Sequence, residues 1–363
     1  MKMFHAHTYL HKVFPKQFIT GDGKVTKSGF QENGYLIVPK GVFTMKAENI
    51  CGKKGNAFTD ILKDIAKHKA LYVMFLPAML LLLLFNYLPL SGLVLAFKDV
   101  NFRQGIWGSD WTQPIYNNFI FLFSSDSALR AFRNTIVLNG LFIVFGVVFE
   151  VSLALLLNEI GNKYFKKISQ SITILPYFVS WIVVGVFAYN FFSTDNGIIN
   201  GLLESVGLPK VEWYSRPSLW PFILVLINRW KISGYGAIMY LATLSGIDSS
   251  YYEAAQIDGA SKWHEIRYIT LPLLRPTVII LTLLQVGKIM NADFGMFYAI
   301  VGDASQIFSS SDVIDTFVYR GLKQTGDIGM ASAAGFVQSI ISFILVISSN
   351  MWARKMDKDS AIF

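Results

Sequence analysis

The chain has 363 residues, of which 53% are hydrophobic and only 15% charged, and its mean hydropathy is +0.44. That is too apolar for a soluble chain of this length to hide in one core, so most of it must dissolve in lipid. The single Cys51 excludes a disulfide framework and a multi-cysteine metal site, and the five histidines (His5, His7, His11, His68, His264) lie outside every long apolar run. The formal charge of +8 does not point to nucleic acid, because Lys and Arg flank apolar runs instead of interleaving with aromatics on one face.

Residues 1–56 are polar, with scattered Gly and no sustained period, and read as a disordered extension preceding a membrane domain over 57–363. The His5, His7 and His11 spacing fits no strong metal pattern, so no metal ligand is assigned. A further expectation makes Met45 the true start, with the codons for Lys40 to Met45 containing a translated ribosome-binding site.

A bilayer core about 30 Å thick needs about 20 apolar helical residues. Such runs occur near Leu71 to Phe97, Asn134 to Leu157, Ile168 to Phe192, Leu219 to Leu244, Leu273 to Phe294 and Ala331 to Trp352. The first lies too far from the N-terminus, and is too long, for a cleavable signal peptide. Lys53, Lys54, Lys63, Lys67 and Lys69 precede it, Lys163, Lys166 and Lys167 follow the second run, and Arg354, Lys355 and Lys358 follow the last. Positive charge stays inside, so both termini and the loop Ser245 to Pro272 are expected on the cytoplasmic side. The alternate loops mix both charge signs and carry Trp107, Trp111, Trp213 and Tyr214 of the interfacial kind.

The loop between the fourth and fifth runs has helix punctuation. Ser250 with Glu253 makes an S-x-x-E capping box for a short helix, Gly259 permits a left-handed stop, Ser261 suits the cap of a second short helix, and Pro272 suits the first turn of the fifth span. On spacing alone an ordinary amphipathic loop helix is the better reading. Glu253, Ala254, Ala255, Gly259, Ile269, Leu271 and Pro272 nevertheless match, without departure in spacing, the EAA motif of permease subunits of binding-protein-dependent ABC importers, which the chain resembles. It is most similar to the carbohydrate-importing MalF-type group and, within it, the LplB and YteP branch associated with complex oligosaccharides. The stretches LPLSGLVLAFKDVNFRQGIWGS, DVIDTFVYRGL and GDIGMASAAGFVQS extend the likeness over about Asp60 to Phe363.

The resemblance implies an all-α membrane protein, a six-helix MetI/MalF-like permease domain whose cytoplasmic coupling helix seats in a separate ATPase. Glu253, Ala254, Ala255, Asp258, Gly259, Ile269, Leu271 and Pro272 would form the coupling element. Implied partners are a second permease, an ABC ATPase dimer that binds the ATP and Mg, an extracytoplasmic solute-binding protein and a sugar. No G-x-x-x-x-G-K-[ST] phosphate loop occurs, so this chain is expected to bind no nucleotide and to be no enzyme.

Polar groups inside a span mark an internal path or a pair. The fourth run holds Asn228, Arg229, Trp230 and Lys231, and the fifth holds Gln285, Lys288, Asn291 and Asp293 ahead of Phe294. Helical spacing would bring Gln285, Lys288 and Asn291 to one face. Rings stack on sugar faces while amides and charges bond hydroxyls, so Asn228, Trp230, Gln285, Lys288, Asn291, Asp293 and Phe294 are the substrate-path candidates. Against this, Arg229 and Lys231 either snorkel or pair with Asp293, and the rings either face lipid or pack between helices. An ion-coupled secondary transporter is the main rival, without a visible inverted repeat, and a membrane-embedded enzyme lacks paired intramembrane carboxylates.

Overall fold

The computed structural model describes residues 67–101 and 103–356, together with two antiparallel two-residue strands, β1 (Phe18–Ile19) and β2 (Val25–Thr26). The readings on residues 1–56, including the three histidines and Met45, otherwise lie outside the described residues. The chain divides into two units, Met1–Leu88 and Pro89–Phe363.

In the first unit, α1 (Lys69–Leu82) is apolar on every side and buries no residue, as a helix solvated by hydrocarbon would. The second unit holds, besides the short turns Gly105–Gly108 and Phe308–Ser311, the helices that build the bundle. These are α2 (Asn117–Ser124), α3 (Asp126–Asn158), α4 (Lys163–Ile174), α5 (Trp181–Phe192), α6 (Ile198–Ser205), α7 (Trp220–Ser245), α8 (Ser250–Ile257), α9 (Lys262–Glu265), α10 (Leu271–Val286), α11 (Phe294–Ile300), α12 (Ile314–Thr325) and α13 (Ile328–Met356).

Among the described residues, four helices are long and apolar enough to cross a membrane: Lys69–Phe97, Asp126–Asn158, Lys262–Val286 and Ile328–Met351. A fifth candidate is the pair Lys163–Phe178 and Trp181–Phe192, bent by 93°. The expected uninterrupted run from Ile168 to Phe192 is therefore broken. Pro176 sits in a 3-10 turn, and Ser180 starts a new helix by accepting from the Val183 amide at 3.4 Å. The fourth expected span, α7, has 26 residues but is not apolar enough to count by composition. Its polar middle is covered by protein instead of lipid.

That covering defines the architecture. Helix α7 packs along α3, and apolar clusters form at two levels of the pair. In one, Leu138 and Phe142 of α3 meet Trp220, Ile223, Leu224 and Val225 of α7, with Val184 and Ala188 of α5 and Met296, Phe297 and Ile300 of α11. In the other, Ala154 and Leu157 of α3 meet Ala237, Tyr240, Leu241 and Leu244 of α7 and Leu274 of α10. Between the two levels lie Glu150 on α3 and Asn228 to Ser233 on α7, a polar layer sandwiched by apolar ones.

Candidate functional site

The polar layer borders a cavity of about 390 Å³. Asn139 and Glu150 reach it from α3, Asn228, Arg229 and Tyr235 from α7, and Gln285, Lys288, Asn291 and Asp293 from the end of α10 and the segment after it. An intramembrane charge must be neutralised locally, and one wall does so: Arg229 Nη1 donates to Glu150 Oε1 at 3.1 Å, with side chains only 6% and 5% exposed. Arg229 Nη2 also donates to Asn228 Oδ1, whereas Arg229 Nε has no hydrogen-bond partner among the described residues. The pair fits because Gly146 and Gly236 face it; a Cβ at Gly146 would strike the guanidinium and one at Gly236 the Glu150 carboxylate.

Pairing of Arg229 or Lys231 with Asp293 does not occur. Glu150, in the second run, takes Arg229. Lys231 Nζ donates to the carbonyls of Tyr177 (2.7 Å) and Val179 (2.6 Å), satisfying backbone left open at the α4–α5 break, and lies 5.0 Å from the Trp181 ring. Asp293 accepts from Trp181 Nε1 at 2.7 Å and caps α11 by accepting from the Met296 amide at 3.1 Å.

The helical face expected to align Gln285, Lys288 and Asn291 is not formed, because α10 ends at Val286 and the next residues are turns. All three still meet at the cavity. Non-helical backbone at membrane depth persists only if its polar groups find partners. Asn139 donates to Ile289 O (2.8 Å), Gln338 to Met290 O (2.9 Å), and the Ala292 amide to Asp315 Oδ2 (3.0 Å). Asn139, Glu150, Asp315 and Gln338 were not among the sequence candidates; the one available signal was a polar residue within an apolar run, which Asn139, Glu150 and Gln338 give. Lys288 is exposed and makes no ion pair among the described residues. Two candidates lie elsewhere: Trp230, 50% exposed, faces an apolar groove with Val184, Phe187 and Phe191, and Phe294 faces a groove with Trp181 and Tyr298.

The loop after α7 projects α8, which buries no residue and leaves Ile257 87% exposed. Glu253, Ala254 and Ala255 lie on this helix, and Asp258 and Gly259 (φ +77°) close it. The expected Ser250 to Glu253 capping box is replaced. Asp248 Oδ1 accepts from the Ser250 amide at 2.9 Å, and Ser249 Oγ donates to Glu253 Oε1 at 3.0 Å. The amide of Ser250 holds the Asp248 carboxyl below its ordinary range. Nor does a separate second helix form. Helix α9 runs through a π turn, Ile266–Thr270, straight into α10. Pro272 cannot donate to the preceding turn, so the turn widens and Ile269, Leu271 and Pro272 stay within a continuous helix.

Two contacts tie α8 to that helix: Tyr252 Oη with Thr270 Oγ1 at 3.0 Å, and Gln256 Nε2 donating to Glu265 Oε1 at 3.1 Å. Glu265 also accepts from Lys262 at 2.8 Å, and Lys262 lies 3.9 Å from Glu159 just past α3. An exposed helix braced at its back against two spans can transmit a push.

Residues 143–358 match the family described as binding-protein-dependent transport system inner membrane component. The chain belongs to this family. Such a permease is the membrane subunit of an ABC transporter. The chain is similar to protein LplB of Bacillus subtilis (34% identity, covering 81% of this chain and 92% of LplB). It is also similar to the polygalacturonan/rhamnogalacturonan transport system permease YteP of the same organism (32%, covering 82% and 92%). Among solved structures it resembles a bacterial alginate ABC transporter in complex with a periplasmic protein carrying alginate pentasaccharide, with TM-score 0.73 and 33% identity over 82% of this chain and 98% of that one. The permease fold is thus shared over nearly the full length of those relatives.

Proposed function

We infer that this permease imports an anionic oligosaccharide across the cytoplasmic membrane, energised by ATP and Mg bound on a separate ATPase pair. The observation that carries the anionic part is Lys288, an exposed ammonium that makes no ion pair among the described residues, in a cavity whose other cation is paired with Glu150 and whose Asp293 is taken by Trp181. A uronate carboxylate would pair with this ammonium, and Asn228, Gln285 and Asn291 offer amides for hydroxyls. Relatives that handle polygalacturonan and alginate support the same class. A second permease completes the pore, a solute-binding protein delivers the sugar from outside, and α8 receives the ATPase stroke with both termini inside.

Uptake of radiolabelled trigalacturonate by cells with and without the gene tests this. We expect uptake to vanish with the gene, and Lys288→Gln to lower it while a neutral trisaccharide gains relative to it. Equal handling of charged and neutral sugars by both forms would remove the anionic reading.

A further inference from the structure

We propose that Gln338 and Asp315 are positioning residues for the sugar cavity: from behind the turn Gly287 to Ala292 they fix the backbone that carries Lys288 and Asn291. The proposal rests on the reading of Lys288 given above. The turn has only a slight framework of its own, in which the amides of Lys288, Ile289 and Asn291 donate to carbonyls three residues back at 3.0, 3.1 and 2.9 Å. Lys288 and Asn291 are exposed, so packing does not hold their side chains, and within the turn Met290 alone is fully buried. Where the ammonium and the amide stand is therefore decided by the backbone.

Three side chains from three helices hold that backbone. Asn139 of α3 donates to Ile289 O, Gln338 of α13 donates to Met290 O, and Asp315 Oδ2 of α12 accepts from the Ala292 amide. Gln338 Nε2 spends its other hydrogen on Asp315 Oδ2 at 3.3 Å, which ties the last two anchors together. Gln338 is only 8% exposed, so this link is shielded from water. The anchored residues 289, 290 and 292 alternate with the cavity residues 288 and 291. Asn139 lines the cavity and is open to the sugar, whereas Gln338 and Asp315 do not line it and reach the sugar only through the turn. A contact carried on a loose segment gives up affinity to the entropy of ordering that segment, and an anchored one keeps it.

A double-mutant cycle on the complete importer, reconstituted with its binding protein in proteoliposomes, tests this by the initial uptake of radiolabelled trigalacturonate well below saturation. Gln338→Leu should lower uptake about tenfold in the parent, the share of one charge-assisted hydrogen bond. In the Lys288→Gln background, where Asn291 alone is left to place, the same change should cost about twofold. Asp315→Ala should give the same pattern, and replaces Gln338→Leu in the cycle if that variant fails to copurify with the ATPase. An equal fold loss in both backgrounds is a general loss of packing and overturns the proposal, as does no loss in either; the anionic reading then stands. If Lys288→Gln alone transports as fast as the parent, the anionic reading fails and takes the proposal with it.

Discussion

Glu150 and Arg229 show how one residue pair sets the character of the cavity wall. Each is buried, so removing either strands a charge at a cost of about 3 to 5 kcal/mol, whereas replacing both by apolar side chains of similar volume is close to neutral. We therefore expect Glu150→Ala to lower the thermal unfolding midpoint of the purified complex markedly, and Glu150→Leu with Arg229→Met to restore most of it. A double variant as unstable as the single would mean that the pair does more than neutralise charge. Lys288 should behave oppositely, since nothing in the fold depends on its ammonium: substitution changes sugar selectivity and leaves the midpoint in place. Polar residues in apolar runs were visible, but spacing along one helix does not report that Glu150 lies across from Arg229.

At the scale of the element, α8 carries nearly all the legible function, because its residues are constrained by a short exposed helix whose punctuation is local. Gly259 sits at φ +77°, where a side chain costs about 1 to 2 kcal/mol. Gly259→Val should abolish uptake and weaken ATPase association while membrane insertion stays normal; full uptake would remove the coupling role. Glu265 was not legible as a brace, since Lys262 is a local partner three residues before it but Gln256 is brought to it only by the turn at Gly259. Glu265→Ala should leave the ATPase bound but lower the sugar transported per ATP hydrolysed, as a loosened brace would. Asp248 has the opposite dependence on pH from a neutral-range switch. Its carboxyl is held below its ordinary value, so the cap is complete above that value and is lost only as the pH falls through the depressed one. Transport measured between pH 6 and 8 should show no inflection from this residue.

For the whole molecule, the arrangement of charged loops predicts which ends face which side. Cys51 is the single cysteine, so replacing it gives a background for labelling. A cysteine at Ile257 should react with a membrane-impermeant maleimide only in inverted vesicles, and one at Trp111 only in intact cells. The reverse pattern would invert the topology and separate α8 from any cytoplasmic ATPase.

Hydrophobic length and flanking charge determined the membrane class and most spans, and the residue spacing after the fourth run carried the EAA likeness, because those depend on neighbours along the chain. The tertiary structure alone decided that α7 is covered by α3, that the third and fifth runs break at Val179 and Gly287, and that side chains from α3, α12 and α13 satisfy the backbone opened after α10. The physical reason is the same in each case: a polar group inside a bilayer is tolerated only with a partner, and that partner is chosen by packing between helices distant in sequence.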